Sequence, residues 1–246
     1  MRTPIFFGRV MTILVVAGLC SLVVTADASA QGRLRIAGVY PITSAPYGNS
    51  YGDWAAAWWQ WAFGQPVDTN PLFDETGAQC GNGQSGPVFY LAGVINVSGS
   101  AERTCTVPSG KALFFPILNV ECSNVEGNGA TPVELRACAA GFADGATGMF
   151  LEVDGERVQL RRHRVTSPSF AFSLPENNLL QFFGVNAPAG SCIPGTSCEP
   201  YLAAGDGTYV MLAPLSDGGH TVHFGGSLPA FGFSLEITYH LLVGGA

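Results

Sequence analysis

Residues 231–243 of the chain read FGFSLEITYHLLV, and this stretch decides the class of the fold. Apolar side chains recur at every second position from Phe231 onward, and polar side chains such as Glu236 stand between them. A period of two is typical of a strand with one buried face, because successive side chains of a strand point to opposite sides of its sheet. We therefore predict a half-buried antiparallel strand with Leu235 and Ile237 in the core.

Residue patterns typical of β-strands extend back along the chain to about Pro87. Short apolar runs bounded by Gly and Pro predict further strands: PVFYLAGVINV, RTCTVP, KALFFPILNV, FAFSLP, NLLQFFG, TYVMLAP and HTVHFGG. In MFLEVDGERVQL, Asp154-Gly155 predicts a two-residue hairpin turn, because both residues tolerate a positive φ. Many short strands indicate a mainly β protein, and we predict an antiparallel β-sandwich, with a jelly roll as one form of it.

Two short helices are predicted within this β pattern. Ser50 and Asp53 have the spacing of a capping box and open a Trp-rich helix at about residues 51–63. Thr131 and Glu134 repeat that spacing, with a proline at the first helical position, and open the second helix.

The first 30 residues have the composition of a signal peptide. Arg2 and Arg9 precede an apolar run at residues 10–24. Ala28-Ser29-Ala30 then gives the small-x-small site that signal peptidase requires. An uncleaved membrane anchor is the alternative. We predict export to a secreted, periplasmic or cell-surface location, with no membrane span after cleavage. Residues 31–246 then form a single disulfide-bonded domain, since no repeat or linker divides them.

Six of the seven cysteines lie beyond the predicted signal peptide. An even number of cysteines in an exported chain indicates disulfides. Cys192 and Cys198 flank a Pro-Gly turn and make the best local pair, whereas chain order alone suggests two further pairs: Cys80–Cys105 and Cys122–Cys138. A zinc site is a weaker alternative, because no cysteine and histidine cluster has the spacing of zinc ligands.

The chain is acidic, with a formal net charge of −7. We therefore expect no nucleic-acid partner, because a basic surface is the first requirement for one. One basic cluster stands apart: Arg157, Arg161, Arg162, His163 and Arg164. Arginine forks suit the carboxylate or sulfate groups of acidic polysaccharides. The favoured alternative is a solvated hairpin edge whose arginines pair with nearby carboxylates: Glu152, Asp154 and Glu156.

The four tryptophans of the chain all lie in the predicted helix. Trp54, Trp58 and Trp61 recur at helical spacing and share one face, which favours a helix packed against one side of the sandwich. Trp59 lies off that face. We predict that Trp59 contacts a ligand, since flat aromatic rings stack on sugar rings and other apolar groups.

Single polar residues provide the other candidates for a site. Lys111 is the only lysine, and it opens the apolar run ALFFPIL. It either lines a polar pocket, with Glu121 or Asp74 as its partner, or protects a strand from aggregation. We assign ligand binding to Trp59, Asp74 and Lys111. If the chain is an enzyme, the catalytic candidates are Arg103, Lys111, Glu121, His220 and Tyr239. We predict no cofactor and no metal site, with calcium in the polar loop after the first helix as the alternative.

Four motifs lie between residues 54 and 111: W-x3-WWQW from Trp54, NP-x2-D-x-TG-x2-C from Asn70, GPV-x-YLAG from Gly86 and R-x-C-x-VP-x-GK from Arg103. This block resembles a family of uncharacterised exported bacterial proteins. The C-terminal segments TYVMLAPLSDGGHTVHFGG and LEITYHL fit the same family. The resemblance implies a bacterial origin and export, and it implies no activity.

Three functions fit these observations. The first is an extracellular binding module for a carbohydrate or another polymer. Predicted export and the many aromatic residues favour this function, and the sequence contains no recognisable catalytic motif. The second is an extracellular hydrolase or lyase on the same fold. The third is a structural component of the cell surface.

Overall fold

The computed structural model describes residues 38–95 and 99–244, so the predicted signal peptide lies outside the described residues. Within them the helices are α1 (Tyr51–Phe63), α2 (Pro132–Ala143) and α3 (Leu179–Phe182). The strands are β1 (Val88–Tyr90), β2 (Gly99–Val107), β3 (Ala112–Ser123), β4 (Thr147–Val153), β5 (Glu156–Arg157), β6 (Arg164–Thr166), β7 (Phe170–Ala171), β8 (Leu202–Leu212), β9 (Gly218–Leu228) and β10 (Phe233–Val243).

The strands form two sheets that pack together, so the prediction of a mainly β sandwich is confirmed. Sheet 1 has the order β1-β3-β8-β6, with β7 also paired to β8, and sheet 2 has the order β2-β10-β9-β4-β5. Most neighbours are antiparallel, but β1 runs parallel to β3 and β2 runs parallel to β10. Both sheets are therefore mixed. The residue pattern did not predict the parallel pairs, because the alternation of side chains along a strand does not specify the direction of its neighbour.

Strand β10 shows the predicted alternation. Leu235 and Ile237 are buried, whereas Glu236 between them is exposed. The prediction is wrong for Phe231, which lies in a 3-10 turn before the strand and is 53% exposed. Gly232 explains the break, because its left-handed backbone (φ 61°) ends the turn before the strand begins.

Strand β3 changes the direction of its side chains halfway along. Its register with β8 shifts between Pro116 and Leu118, where a bulge accommodates a proline that cannot donate a ladder hydrogen bond. Ile117 and Leu118 both join the core between the sheets. Beyond the bulge, Asn119 and Glu121 line the same surface as Trp59 of α1.

Helix α1 covers the outer face of sheet 1. The predicted capping box is present, since the Ser50 hydroxyl accepts a hydrogen bond from the Asp53 N–H (3.2 Å) and the Asp53 carboxylate accepts one from the Ser50 N–H (3.0 Å). All four tryptophans are buried, in a cluster that includes Phe114 of β3 and Tyr209 of β8. The helix is therefore packed against one side of the sandwich.

Three disulfides are present, and the predicted pairing is confirmed: Cys80–Cys105, Cys122–Cys138 and Cys192–Cys198. The second of them fastens α2, which begins with the predicted capping box of Thr131 and Glu134, to the end of β3. Disulfides are compatible with a protein exported from the cytoplasm. No helix in the described ranges has the length and apolar character needed to cross a lipid bilayer.

The segment NLLQFFG forms a helical turn, and its prediction as a strand is wrong. The Asn178 side chain accepts a hydrogen bond from the Gln181 N–H (3.0 Å), and the Gln181 side chain accepts one from the Asn178 N–H (3.3 Å). This reciprocal capping outweighs the strand preference of the flanking aromatic residues. The hairpin after β4 forms as predicted, with φ of 52° at Asp154 and 78° at Gly155.

The burial pattern of β10 predicts unequal effects of two neighbouring substitutions. Ile237→Ala should lower the free energy of unfolding by about 2–5 kcal/mol, because it opens a cavity in the core between the sheets. Thr238→Ala, on the outer face, should lower it by less than about 1 kcal/mol. Urea unfolding of both variants measures the difference, and equal losses would mean that the register of β10 is wrong.

Candidate functional site

An open cavity of about 420 Å³ lies beside α1, where β3 becomes polar. Its wall is largely apolar and aromatic: Phe142, Leu179, Leu180, Phe183, Phe231 and Phe233. Four residues bring polar atoms to its lining: Trp59, Asn119, Glu121 and Glu126. We call this site the Trp59–Glu121 cavity. Its size and its mixture of many apolar residues with few polar ones are typical of small-ligand sites.

Two glycines of β8 make room for the polar side of the cavity. Gly205 is the register partner of Glu121, and a Cβ atom at Gly205 would lie 2.5 Å from Nε1 of Trp59. Gly207 is the partner of Asn119, and a Cβ atom there would lie 2.6 Å from the Cβ of Asn119. Glycine inside a strand commonly marks such a close approach, and here it allows an indole ring to lie directly on the sheet.

Trp59 differs from the other three tryptophans in its hydrogen bonding. The Nε1–H groups of Trp54, Trp58 and Trp61 donate to backbone carbonyls at 2.9–3.0 Å. The buried Nε1–H of Trp59 has no acceptor with good hydrogen-bond geometry among the described residues; its interaction with the Tyr209 hydroxyl, which opposes the rise in the pKa of Tyr209, is weaker than a formed hydrogen bond. A buried donor of this kind is costly to leave unpaired, so Trp59 offers a ligand one directed hydrogen bond.

Glu121 brings a carboxyl group whose surroundings favour its neutral form. Its Oε2 atom is buried and has no hydrogen-bond partner among the described residues. Burial, together with the charge and hydrogen bonding of the Glu126 carboxyl, raises the pKa of Glu121 well above its usual range. The Ser123 hydroxyl donates to Oε2 of Glu126 (2.5 Å) and holds that second carboxyl in place. A neutral carboxylic acid can both donate and accept a hydrogen bond.

Asn119 contributes a further polar group to the cavity. The amide Nδ2 of Asn119 donates to the hydroxyl of Tyr209 at 3.3 Å. Burial raises the pKa of Tyr209, so its hydroxyl keeps its proton. Trp59, Asn119 and the protonated Glu121 are thus neutral groups that can exchange hydrogen bonds with an uncharged ligand group, beside the charge of the Glu126 carboxyl.

The structure places Arg103 and Tyr239 away from this cavity. They are register partners on β2 and β10, and both are buried. Nη1 of Arg103 donates to the Tyr239 hydroxyl (2.7 Å) and to the carbonyls of Ala92 and Gly93 (both 3.0 Å). Burial raises the pKa of Tyr239, and the nearby guanidinium offsets part of that rise. These contacts tie the chain after β1 to sheet 2.

Lys111 and Asp74 do not join the cavity either. The Lys111 ammonium donates to the carbonyl of Gly86, and within the described ranges no carboxylate, including those of Glu121 and Asp74, lies within 4.0 Å of it. Asp74 accepts hydrogen bonds from the Thr76 N–H (2.9 Å) and the Gln79 N–H (2.8 Å). Burial opposes the ionisation of Asp74, but these bonds outweigh it and lower the pKa of that carboxyl. Asp74 therefore organises its own loop.

His220 forms an array that superficially matches a catalytic triad. Its Nδ1 is 2.8 Å from Oδ2 of Asp154, and its Nε2 is 3.2 Å from Oγ of Ser216. However, Nε2 is also 2.9 Å from the carbonyl oxygen of Ser216. The Ser216 carbonyl can only accept a hydrogen bond, so it competes with the Ser216 hydroxyl for Nε2 and lies closer to it. Both Nε2 contacts are to the same residue, Ser216, and the array fastens the turn before β9.

Two further histidines contact separate carboxylates. Nε2 of His223 is 2.9 Å from Glu236, and Nε2 of His240 is 2.7 Å from Glu102. In the part of the chain that the structure describes, no three His, Cys, Asp or Glu side chains are grouped to hold a metal ion. In the polar loop after α1, which is the alternative site for calcium, the amide of buried Asn70 donates to the Ala62 carbonyl (2.8 Å).

Sequence comparison assigns no family, since no protein-family model and no curated protein matches the chain. One similar solved structure is described as "Structure of PbICP-C in complex with falcipain-2". The match has 9% sequence identity and a TM-score of 0.25, and it covers 64% of this chain and 99% of that chain. A likeness at this level carries no argument, so the site is interpreted from its own geometry.

The sequence pointed to Trp59 and Glu121 separately, and the structure brings them together. It gave no reason to select Glu126, Phe183 or Phe231, which reach the cavity from distant parts of the chain. One available indication was the glycine pattern GDG at 205–207, directly before the predicted strand TYVMLAP, because glycines beside or within a strand mark a close approach of another group.

The raised pKa of Glu121 predicts that stability falls as the pH rises. The folded protein retains this proton at pH values where the unfolded chain, with a pKa of about 4.3, has lost it. The free energy of unfolding should therefore decrease from that pH up to the folded pKa. Glu121→Gln removes the titration, so the variant should lose this decrease and exceed the wild type in stability at neutral pH. Urea unfolding between about pH 4 and about pH 8 measures both effects.

The matched control is Glu176→Gln, which neutralises an exposed carboxylate outside the cavity. It should leave the pH dependence of unfolding unchanged. A Glu121→Gln variant that keeps the slope of the wild type would contradict the assignment of a neutral Glu121.

Proposed function

We propose that the domain is an extracellular binding module for a small amphiphilic ligand. Such a ligand has an apolar body and one uncharged polar group that both donates and accepts hydrogen bonds. One observation carries this proposal: the polar side of an aromatic cavity contains both the unpartnered Nε1–H of Trp59 and the buried carboxyl of Glu121. The three disulfides support an extracellular setting.

The rim of the cavity supports an apolar ligand body. Phe142 and Phe231 lie edge to face, with ring centroids 5.4 Å apart, and they are 42% and 53% exposed. Phe183 is 55% exposed on the same cavity. Exposed aromatic residues grouped around one opening are typical of a binding surface, because burying them against a ligand removes apolar area from water.

A carbohydrate polymer is a less favoured ligand for this cavity. Aromatic faces suit sugar rings, as the sequence suggested for Trp59. A sugar chain also carries hydroxyl groups along its whole length, and each needs a partner once it is buried. The polar groups of the Trp59–Glu121 cavity are few against a largely apolar wall, which matches a ligand with a single polar end.

The carboxyl pair supports one alternative, a hydrolase or lyase. Two neighbouring carboxyls, one of them with a raised pKa, are an arrangement that enzymes use for proton transfer. In that case Glu121 would act as the acid and Glu126 as its partner. Turnover of an ester or glycoside that Glu121→Gln abolishes would favour this alternative over a binding module.

The binding proposal predicts discrimination between two aromatic probes. 1-Naphthol, which carries one hydroxyl group, should bind at least about tenfold more tightly than naphthalene, since only the hydroxyl can pair with the buried polar groups. Trp59→Phe keeps an aromatic ring but removes the N–H, so the preference for 1-naphthol should shrink. Phe231→Ala should weaken both probes, because it removes part of the apolar wall. Fluorescence titration and calorimetry measure these affinities.

Val133→Ala is the control, because Val133 is 78% exposed on α2 and does not line the cavity. It should bind both probes as the wild type does. Equal affinity for the two probes would contradict the role of the polar groups. Binding of neutral oligosaccharides on a glycan array, with neither aromatic probe bound, would replace the amphiphile by a carbohydrate.

A further inference from the structure

A second groove, of about 580 Å³, is separate from the Trp59–Glu121 cavity and shares no lining residue with it. One wall is the segment 39–43, and the other is the connection between β5 and β6. The second wall carries four basic side chains: Arg157, Arg161, Arg162 and His163. Among the described residues, no aspartate or glutamate lines this groove. A chain with a net charge of −7 thus presents one concave surface that is locally cationic.

The arginines of this groove are not used in ion pairs within the described residues. None of Arg157, Arg161 and Arg162 lies within 4.0 Å of a described carboxylate, so the expected hairpin-edge pairing is wrong. Two of the three expected acids contact histidines instead, since Asp154 lies 2.8 Å from His220 and Glu152 lies 3.8 Å from His223.

Arg164, the last arginine of the sequence cluster, behaves in the opposite way. Its Nε is 2.7 Å from buried Asp206, its Nη1 is 2.7 Å from Asp144, and its Nη2 donates to the Ala140 carbonyl at 2.8 Å. Arg164 therefore ties β6 to β8 and α2. The contrast divides the cluster into one structural arginine and three whose guanidinium groups remain available to an anion.

The backbone at the tip of the groove is strained. Arg162 has a φ of 68°, a left-handed conformation that glycine adopts without steric cost and a long side chain does not. It lies in a turn closed by the His163 N–H, which donates to the Leu160 carbonyl (3.2 Å). An arginine placed where glycine would be unstrained is a reason to look for a function of its side chain.

The opposite wall is apolar and firmly attached to the sheet. The Tyr40 N–H donates to the Met211 carbonyl (2.9 Å), and the Tyr51 hydroxyl donates to the Tyr40 carbonyl (2.6 Å). Pro41 and Ile42 continue this wall. A rigid aromatic and aliphatic surface facing several guanidinium groups offers a sugar ring a stacking face and its acidic substituents a set of charged donors.

We propose that this groove binds an acidic polysaccharide through its carboxylate or sulfate groups. Arg157, Arg161 and Arg162 pair with these anions, and Tyr40 with its neighbours packs against the sugar rings. Nucleic acid fits less well, because the rest of the chain is acidic and offers no extended basic footprint. The site is independent of the Trp59–Glu121 cavity, so either can fail without the other.

The test uses four probes with the folded protein: heparin as a sulfated chain, polygalacturonate as a carboxylated chain, dextran as a neutral chain and double-stranded DNA. Calorimetry at about 20 mM salt should show binding of heparin, polygalacturonate or both, weakening at about 500 mM salt through screening. Binding of one and not the other identifies the anionic group that the groove prefers. Dextran should not bind, and DNA should bind more weakly than the preferred polysaccharide.

Variants distinguish specific binding in the groove from a general effect of positive charge. Arg161→Ala should raise the dissociation constant about threefold to fivefold, as the loss of one exposed ion pair does. Arg162→Gly should do the same while its thermal stability stays equal or rises, because glycine relieves the left-handed strain. Arg136→Ala removes the same charge from an exposed position of α2 outside the groove and should leave binding unchanged.

Three results would overturn the proposal. They are the absence of binding to both acidic polysaccharides, an equal loss of affinity in Arg136→Ala and Arg162→Gly, and DNA binding at least as tight as that of the preferred polysaccharide. Thermal melting of every variant shows that a loss of binding does not come from a loss of folding.

Discussion

The structure depends on one constraint, which is that the central strands of sheet 1 are apolar on both faces. Phe115 and Val210 point into the core between the sheets, whereas Phe114 and Met211 point the opposite way. Sheet 2 covers the first face, so a second layer must cover the other to keep it from water. Helix α1 supplies that layer with its tryptophans, and three of their four N–H groups find carbonyl partners there. The Trp59–Glu121 cavity adjoins this layer where β3 turns polar.

That position explains why the cavity contains costly groups. An unpaired buried N–H destabilises a fold by about 1–3 kcal/mol, and a buried carboxyl is tolerated mainly in its neutral form. The ring of Trp59 packs against Trp58 and Phe63, with ring centroids 5.1 Å and 5.5 Å apart, so its apolar contacts are made although its N–H group forms no hydrogen bond of good geometry. Stability concentrated elsewhere, in the inter-sheet core and the three disulfides, allows this small polar region to persist.

Local patterns in the sequence were sufficient to predict many of the elements. The alternation of β10, the capping boxes at Ser50 and Thr131 and the Asp154-Gly155 turn each depend on residues within a few positions of one another. The parallel pairings, by contrast, join segments far apart in the chain, and periodicity does not specify them. The cavity could not be predicted for the same reason. Its lining comes from elements that are distant in the sequence and meet only in the folded structure: α1, α2, α3, β3 and the start of β10. Single-residue arguments were weakest: the only lysine, Lys111, bonds a carbonyl outside the cavity.

The central claim is that Trp59 is the one tryptophan whose indole N–H is available to bond a ligand. The indole resonance of Trp59 tests this claim directly. A nitrogen-15 correlation spectrum of the protein labelled at tryptophan contains one indole N–H signal for each of the four rings, and Trp59→Phe identifies the signal of Trp59. On titration with 1-naphthol, the account predicts that the Trp59 signal shifts most, in the direction of a stronger hydrogen bond, while those of Trp54 and Trp61 stay in place. A Trp59 signal that does not move when the ligand is bound, or an equal shift of all four signals, would contradict it.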